Sequence, residues 1–475
     1  MKYQPVTSVW EVTMGCNMRC KHCGSSCAEP LPDEMDTYKA LEVCDQCADI
    51  GLKWITLSGG EPLTRKDTPQ LVKRLTEKGV SVNLITNGWL LGEALAGELK
   101  ASGIATIAIS VDGTEEIHDN IRRSGSFARD EAAFELLRKS GITTGAVTTI
   151  SKRNIDNLPA LKEKLISMGV KTWQVQLGLP MGNFLERPDW VIDPEQVNTI
   201  IDFCYETAME GRIKIYPADC IGYYTQKEME IKKVSYGTNE VSMWDGCNAG
   251  KRSFGILHNG DILGCTSIRS KEFVEGNLYK NSLKDIWTNG QNFKWCRELR
   301  KEQLEADCGT CTYGSKCLGG CPNTRLTMNG SIYSENQYCA YNRMLKQWRK
   351  NYQKENNGIK LHIVAQDMLR TGQFQNAACA LQRVNELMPD NTDAWLEKAF
   401  CEYMCGNYSL CLNDNEEALR IDPVNAYALK GKGIALHKLG RGKEGLEYLK
   451  QAAELTGYED EDILNDLRAV TKMIS

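Results

Sequence analysis

Three cysteines in one short stretch, Cys16, Cys20 and Cys23, constrain this chain more than any other feature. A C-x3-C-x2-C spacing can hold three corners of a cubane [4Fe–4S] cluster and leaves one iron without a protein ligand. A ferredoxin closes all four corners with cysteine and only passes electrons. An open iron can instead bind a small molecule through amine and carboxylate groups and do chemistry on it. The residues alone admit two other readings. One is a zinc site, although zinc knuckles prefer paired C-x2-4-C units with a second pair downstream. The other has Cys27 as a fourth ligand that closes the cluster.

With 475 residues the chain is too long for one ordinary domain, and two or three are expected. A net charge of −5 offers no basic footprint for nucleic acid. Residues 1–12 contain no apolar signal core, and no stretch approaches the ~18 apolar residues of a membrane span. Twenty cysteines without an export signal argue for metal rather than for a disulfide framework. The expectation is a cytoplasmic, cluster-rich protein that engages neither nucleic acid nor membrane.

Between residue 5 and about 215, strand-like runs alternate with helix-like ones. Strands are predicted over 6–13, 54–58, 80–86, 106–110, 142–150 and 172–177, with amphipathic stretches such as 37–50, 127–140 and 157–168 between them. Six β-α units predict an α/β fold, a parallel sheet curved into a partial (β/α)6 barrel, with chemistry at the strand C-terminal ends. The cysteine triad falls just after the first strand. The second strand ends in Ser58, Gly59, Gly60, Glu61 and Pro62, where two glycines permit close backbone approach and Glu61 can accept from a cationic amine.

The triad followed by Gly59, Gly60, Glu61 and Pro62 resembles the radical S-adenosylmethionine (radical SAM) superfamily. The resemblance implies that the open iron chelates SAM and that reductive cleavage yields a 5′-deoxyadenosyl radical. It places Glu61 and its glycines near the methionine amine, and Asn87, Ser110 and Asp112 near the SAM carboxylate and ribose. His118 lies in a run, residues 116–123, that also looks like the family, or simply caps a helix. Gln176, in the last strand, faces the same rim and either touches adenine or substrate or packs in the wall.

Downstream, Cys247, Gly260 and Cys265 precede Cys308, Cys311, Cys317, Cys321 and Cys339. This order resembles the SPASM extension of radical SAM enzymes, which binds two auxiliary Fe–S clusters; zinc is the other reading. The resemblance assigns Cys247, Cys265 and Cys321 to the first auxiliary cluster, and Cys308, Cys311, Cys317 and Cys339 to the second. Two departures stand out. Ser253 occupies the place of a further cysteine ligand, with Cys296 as a nearby candidate substitute. Thr266 stands where sulfatase-maturing members carry an Asp general base. Finally, Gly372, Gly406 and Gly440 recur every 34 residues, as do Pro389 and Pro423. That period resembles tetratricopeptide (TPR) repeats, an all-α solenoid of about three units.

The expected organisation is therefore a radical SAM core over 1–215, a bridging region and SPASM domain over 216–350, and TPR repeats over 356–475. SPASM members mostly modify peptides and proteins by crosslinking, thioether formation, epimerisation or oxidation. The few residues before the first strand leave no room there for a leader-binding winged helix, and the repeats could dock the peptide instead. Sulfatase maturation is the second reading, disfavoured by Thr266. A non-catalytic Fe–S electron-transfer protein is the third. A flavodoxin or ferredoxin is the implied low-potential electron donor. If all three clusters are cubanes, anaerobic reconstitution should bring iron and sulfide to about twelve of each per chain. A plateau near four iron would eliminate both auxiliary sites.

Overall fold

Six short strands build the centre of the molecule. In the computed structural model β1 (Thr7–Glu11), β2 (Trp54–Ser58), β3 (Ser81–Thr86), β4 (Thr106–Ser110), β5 (Thr143–Ile150) and β6 (Thr172–Leu177) pair in parallel, each with the next. The structure describes residues 2–218, 220–237 and 244–474. Alternate residues of each strand face the helices and are fully buried, as Ile55 and Leu57 or Ile107 and Ile109 are. Helices such as Thr37–Asp49, Thr68–Glu77 and Ser126–Lys139 cover that face. The first is capped by Asp36, whose carboxylate accepts from the Lys39 amide at 2.8 Å.

The sheet is wider than six strands. β7 (Lys214–Pro217) adds in parallel beyond β6, and β8 (Ser253–Ile256) pairs in parallel with β1 on the other edge. β9 (Asp261–Leu263) and β10 (Val274–Asn277) continue it antiparallel, giving the order β10-β9-β8-β1-β2-β3-β4-β5-β6-β7. A domain boundary near residue 215 was expected, yet β8 to β10 extend the core sheet. Strands of three or four residues are too short to carry a readable period, so only tertiary pairing reveals them. Met1–Leu304 and Lys316–Ala340 accordingly form one compact unit.

The second unit comprises Glu305–Ser315 and Tyr341–Ser475. Its helices include α1 (Gly358–Arg370), α2 (Phe374–Leu387), α3 (Thr392–Met404), α4 (Tyr408–Ile421), α5 (Ala426–Lys438), α6 (Gly442–Leu455) and α7 (Glu461–Ile474). Consecutive members pack against each other. The 34-residue period has a local cause beyond the glycines. Asn357, Asn391 and Asn425 each cap the first helix of a hairpin, accepting from the amides of Lys360, Ala394 and Ala428 at 3.0, 3.2 and 3.0 Å. Gly372, Gly406 and Gly440 make the turns between the paired helices, at φ of 72°, 72° and 82°. Cys379, Cys401, Cys405 and Cys411 are buried, as expected for small apolar residues. Among the described residues, no helix is long and apolar enough to cross a membrane.

One buried ion pair fastens this helical stack: Lys398 Nζ lies 2.7 and 2.9 Å from the Asp414 carboxylate oxygens. Removing one partner strands a buried charge, so Asp414→Ala should destabilise the repeat helices by ~3–5 kcal/mol in denaturation followed by circular dichroism. The Lys398→Met/Asp414→Leu pair, which removes both charges, should fall within about 1 kcal/mol of the parent or above it.

Candidate active site

The cysteine loop is closed at its base by paired backbone bonds. The Cys16 amide donates to the Ala28 carbonyl at 2.7 Å, and the Ala28 amide to the Met14 carbonyl at 3.0 Å. Glu34 staples the entry, accepting from Thr13 Oγ1 at 2.9 Å and the Met14 amide at 2.7 Å. Inside this ring Cys16, Cys20 and Cys23 lie within electrostatic reach of one another. Burial pushes the Cys20 thiol up to about 11, and its sulfur neighbours add to that. An all-sulfur set of three on one closed loop suits an iron–sulfur cluster with one open position.

Gly59 and Gly60 sit hard against this loop. A Cβ on Gly59, at φ +134°, would lie 2.3 Å from the Thr13 carbonyl oxygen, and one on Gly60 would lie 2.3 Å from that of Gly15 and 3.0 Å from Cys16 Cβ. Their amides and those of their neighbours bind the loop: Gly60 N donates to Thr13 O at 2.8 Å and Glu61 N to Gly15 O at 2.9 Å. The close approach inferred from sequence is therefore an approach of protein to protein. Pro62 opens the short helical turn Pro62–Thr64 that follows.

Glu61, expected to accept from a ligand amine, is held by protein donors. Oε1 accepts from the Leu63 amide at 3.0 Å and Thr86 Oγ1 at 2.8 Å, and Oε2 accepts from the Asn87 amide at 2.7 Å. The carboxylate ties β2 to β3. Asn87 in turn donates through Nδ2 to Asn17 Oδ1 in the cysteine loop at 2.7 Å.

Asp112 is likewise a strut. It is fully buried and accepts from His22 Nε2 at 2.8 Å, Arg122 Nε at 2.5 Å and the Thr149 amide at 2.9 Å. Burial alone would raise its pKa, but Arg122 and His22 together hold it well below the usual carboxylate range. His22 sits between Cys20 and Cys23, so Asp112 anchors the loop from within. Arg122 also points NH1 at Cys20 Sγ, 4.0 Å away. His118 Nδ1 accepts from the Asp112 amide at 3.2 Å, and burial lowers its pKa to about 4, which makes it a neutral buttress.

Ser110 and Gln176 occupy a different kind of position. Trp54, Thr56, Thr106, Ala108, Thr172 and Gln174 line a cavity of about 420 Å3 inside the curved sheet. Residues two further along each strand share that face, which places Ser58, Ser110 and Gln176 on it at the strand ends. Gln176 donates to Thr149 Oγ1 at 3.2 Å across β5 and β6. Sequence reasoning missed Glu11, which shares this row through its register with Ser58. Burial raises its pKa to about 7 despite Arg269, whose guanidinium binds both Glu11 and Ser25. No local pattern marks it, because Arg269 arrives from 258 residues away.

Cys27 lies buried against Cys23, and its hydrogen bond to that sulfur lowers the Cys23 pKa. Of the downstream cysteines, Cys247 accepts from the Ala249 amide through Sγ at 3.4 Å, and the Cys321 amide donates to the Tyr223 hydroxyl at 2.9 Å. Cys265, Cys317 and Cys339 belong to the same unit as the sheet, whereas Cys308 and Cys311 belong to the helical one. Ser253 begins β8, and Cys296 is buried with its thiol donated to the Phe293 carbonyl at 3.2 Å.

Comparison with known proteins accords with this geometry. Residues 10–165 match the family described as the Radical SAM superfamily, and residues 247–312 match an iron–sulfur cluster-binding domain, SPASM. An AdoMet-dependent heme synthase of Methanosarcina barkeri is 31% identical over 72% of this chain and 98% of its own. The mycofactocin maturase MftC of Mycobacterium ulcerans is 27% identical over 67% of this chain and 83% of its own. Streptococcus suis SuiB bound to S-adenosylmethionine superposes with a TM-score of 0.56 at 18% identity, covering 70% of this chain and 76% of that one.

Asp112→Ala strands Arg122 and His22, so it should destabilise the core unit by ~3–5 kcal/mol and lower the iron retained by the first cluster. Iron analysis and thermal melting on one preparation check both. Cys27→Ala should leave SAM cleavage largely intact, because a fourth thiolate there would occupy the open iron. Loss of activity together with about one cluster would make Cys27 a ligand instead.

Proposed function

Because this chain belongs to the radical SAM superfamily and carries an iron–sulfur cluster-binding extension, we propose that it cleaves SAM reductively to modify a ribosomally made peptide or protein. Cys16, Cys20 and Cys23 would hold the catalytic cluster, with Cys247, Cys265, Cys308, Cys311, Cys317, Cys321 and Cys339 serving two auxiliary ones. When bound, the cluster and SAM supply a radical able to take one hydrogen atom from the substrate. The chain's own residues do the rest. Asp112, Glu61 and Asn87 keep the cysteine loop fixed, while Gly59 and Gly60 let the neighbouring strand end close over it. Ser110 and Gln176 would orient SAM or substrate from the barrel wall, and the surrounding helices keep water from the reacting carbon.

One observation supports a peptide above other substrates. The interior row at the strand ends offers hydroxyls and an amide from Ser58, Ser110, Thr149 and Gln176, which suits the neutral donors and acceptors of a peptide backbone. A tetrapyrrole is the second reading, favoured by the 31% identity to a heme synthase across nearly that whole protein. The two separate cleanly in solution. A short reading frame beside the gene should encode a peptide whose mass the reduced, reconstituted protein changes with SAM, while an iron tetrapyrrole is left untouched. Consumption of the tetrapyrrole with the peptide unchanged would reverse the assignment.

The repeats are proposed to dock this peptide. Phe400 and Tyr403 of α3 line a concave cavity of about 490 Å3 with Leu369, Leu396 and Tyr427. A distant docking segment raises the effective concentration of the reacting one. Phe400→Ala/Tyr403→Ala should weaken peptide binding by about tenfold or more in fluorescence anisotropy while sparing peptide-independent SAM cleavage. Unchanged affinity would place the docking site elsewhere.

A further inference from the structure

The segment that carries Cys308 and Cys311 folds with the helical repeats, and the contacts are specific. Gln375, in the first turn of α2, grips it twice: Oε1 accepts from the Thr312 amide at 2.7 Å, and Nε2 donates to the Thr310 carbonyl at 3.4 Å. Asn407, just before α4, donates to the same Thr310 carbonyl at 2.7 Å. Both side chains are buried, at 8% and 6% exposure, and neither caps its own helix. They lie 32 residues apart, at the starts of helices in successive hairpins, and bring two amides to one tripeptide.

The cysteines on either side of Thr310 are buried, and each is met by an N–H donor. Cys308 and Cys311 are buried, at 5% and 7% exposure. Each sulfur accepts an N–H: Cys308 Sγ from Asn342 Nδ2 and Cys311 Sγ from the Tyr313 amide, both at 3.4 Å. Hydrogen bonds to sulfur stabilise thiolate and tune the potential of a cluster bound to it. Asp307, beside Cys308, is held by Arg349 Nη1 at 2.5 Å. Two buried thiols with N–H donors suit cluster ligands of the kind the sequence resemblance assigns to these residues.

We propose that the helical repeats are a scaffold for the second auxiliary cluster, with Gln375 and Asn407 as positioning residues that hold the Cys308–Cys311 loop in its ligating conformation. Ordering a ligand loop before the metal arrives lowers the entropy lost on binding. Metal sites are strong only when their ligands are already placed, and outer residues that fix ligands commonly account for 10–100-fold in affinity. Only the single helical turn Ala306–Thr310 orders this stretch locally, and it ends before Cys311; three side-chain amide bonds to Thr310 and Thr312 supply the rest of that order. The inference rests on the radical SAM reading only for the presence of the cluster.

Gln375→Ala/Asn407→Ala in the full-length, anaerobically reconstituted protein tests it. Helical content by circular dichroism reports folding, and total iron with Mössbauer spectra reports the clusters. With helices intact, iron should fall by about four per chain, one cubane, while the first cluster's SAM-dependent spectral change persists. Unchanged iron and spectra would overturn the proposal. If the double variant does not accumulate, Asn407→Ala alone, which removes the bond to Thr310 together with one to Glu402, should release iron to a chelator roughly tenfold faster than the parent does; an equal rate would likewise overturn it. Absence of SAM cleavage in the parent would sink the catalytic reading without touching this one, since iron retention is read independently.

Discussion

A fully buried carboxylate holds the candidate active site together. Asp112 ends the β4 segment at complete burial and is stable as an anion only because His22, Arg122 and the Thr149 amide surround it. Those partners belong to the cysteine loop, the helix following β4, and β5. One charge thus determines where three segments meet, and it does so at the C-terminal edge of the sheet. A loop carrying three thiols close together is electrostatically unfavourable once they ionise, and it needs such an external anchor. Arg122, directed at Cys20 as well as Asp112, offsets that charge.

The placement of the site was legible in the sequence because it depends on short-range spacing. Three cysteines within eight residues, just after a strand, can reach one centre in almost any compact fold. The partners of Glu61 and Asp112 were not legible. Both residues were read as ligand contacts, since polar side chains at strand ends usually face a ligand. In the structure the acceptors of Glu61 are claimed by Thr86 and Asn87, some 25 residues on, and those of Asp112 by His22, 90 residues back. Nothing local distinguishes a carboxylate that meets protein donors from one that meets a substrate. Glu11 escaped notice for the same reason, since its partner Arg269 lies far along the chain.

The helical repeats show the reverse case. Their period was readable from glycine and proline alone, because turns that require positive φ select glycine locally. The asparagine caps at 357, 391 and 425 obey the same 34-residue rule and could have been found that way. What the period could not reveal is that Gln375, inside the first turn of its helix, and Asn407, at an N-cap position, bind residues 310–312. The boundary placed between 350 and 356 likewise missed that residues 305–315 fold with the helices. Domain limits drawn along the sequence fail wherever a segment packs on a partner it does not adjoin.

Radical chemistry in this chain requires one iron of the Cys16, Cys20 and Cys23 cluster to be free to take SAM. Electron paramagnetic resonance of the dithionite-reduced protein, in a variant lacking Cys247, Cys265, Cys308 and Cys311 so that only this cluster remains, reads that directly. Adding SAM should shift the g values of the reduced cluster, and SAM isotopically labelled at its amine nitrogen should show hyperfine coupling to it. A spectrum indifferent to SAM would mean that all four irons are already ligated by the protein, and the chain would then be an electron carrier rather than a radical enzyme.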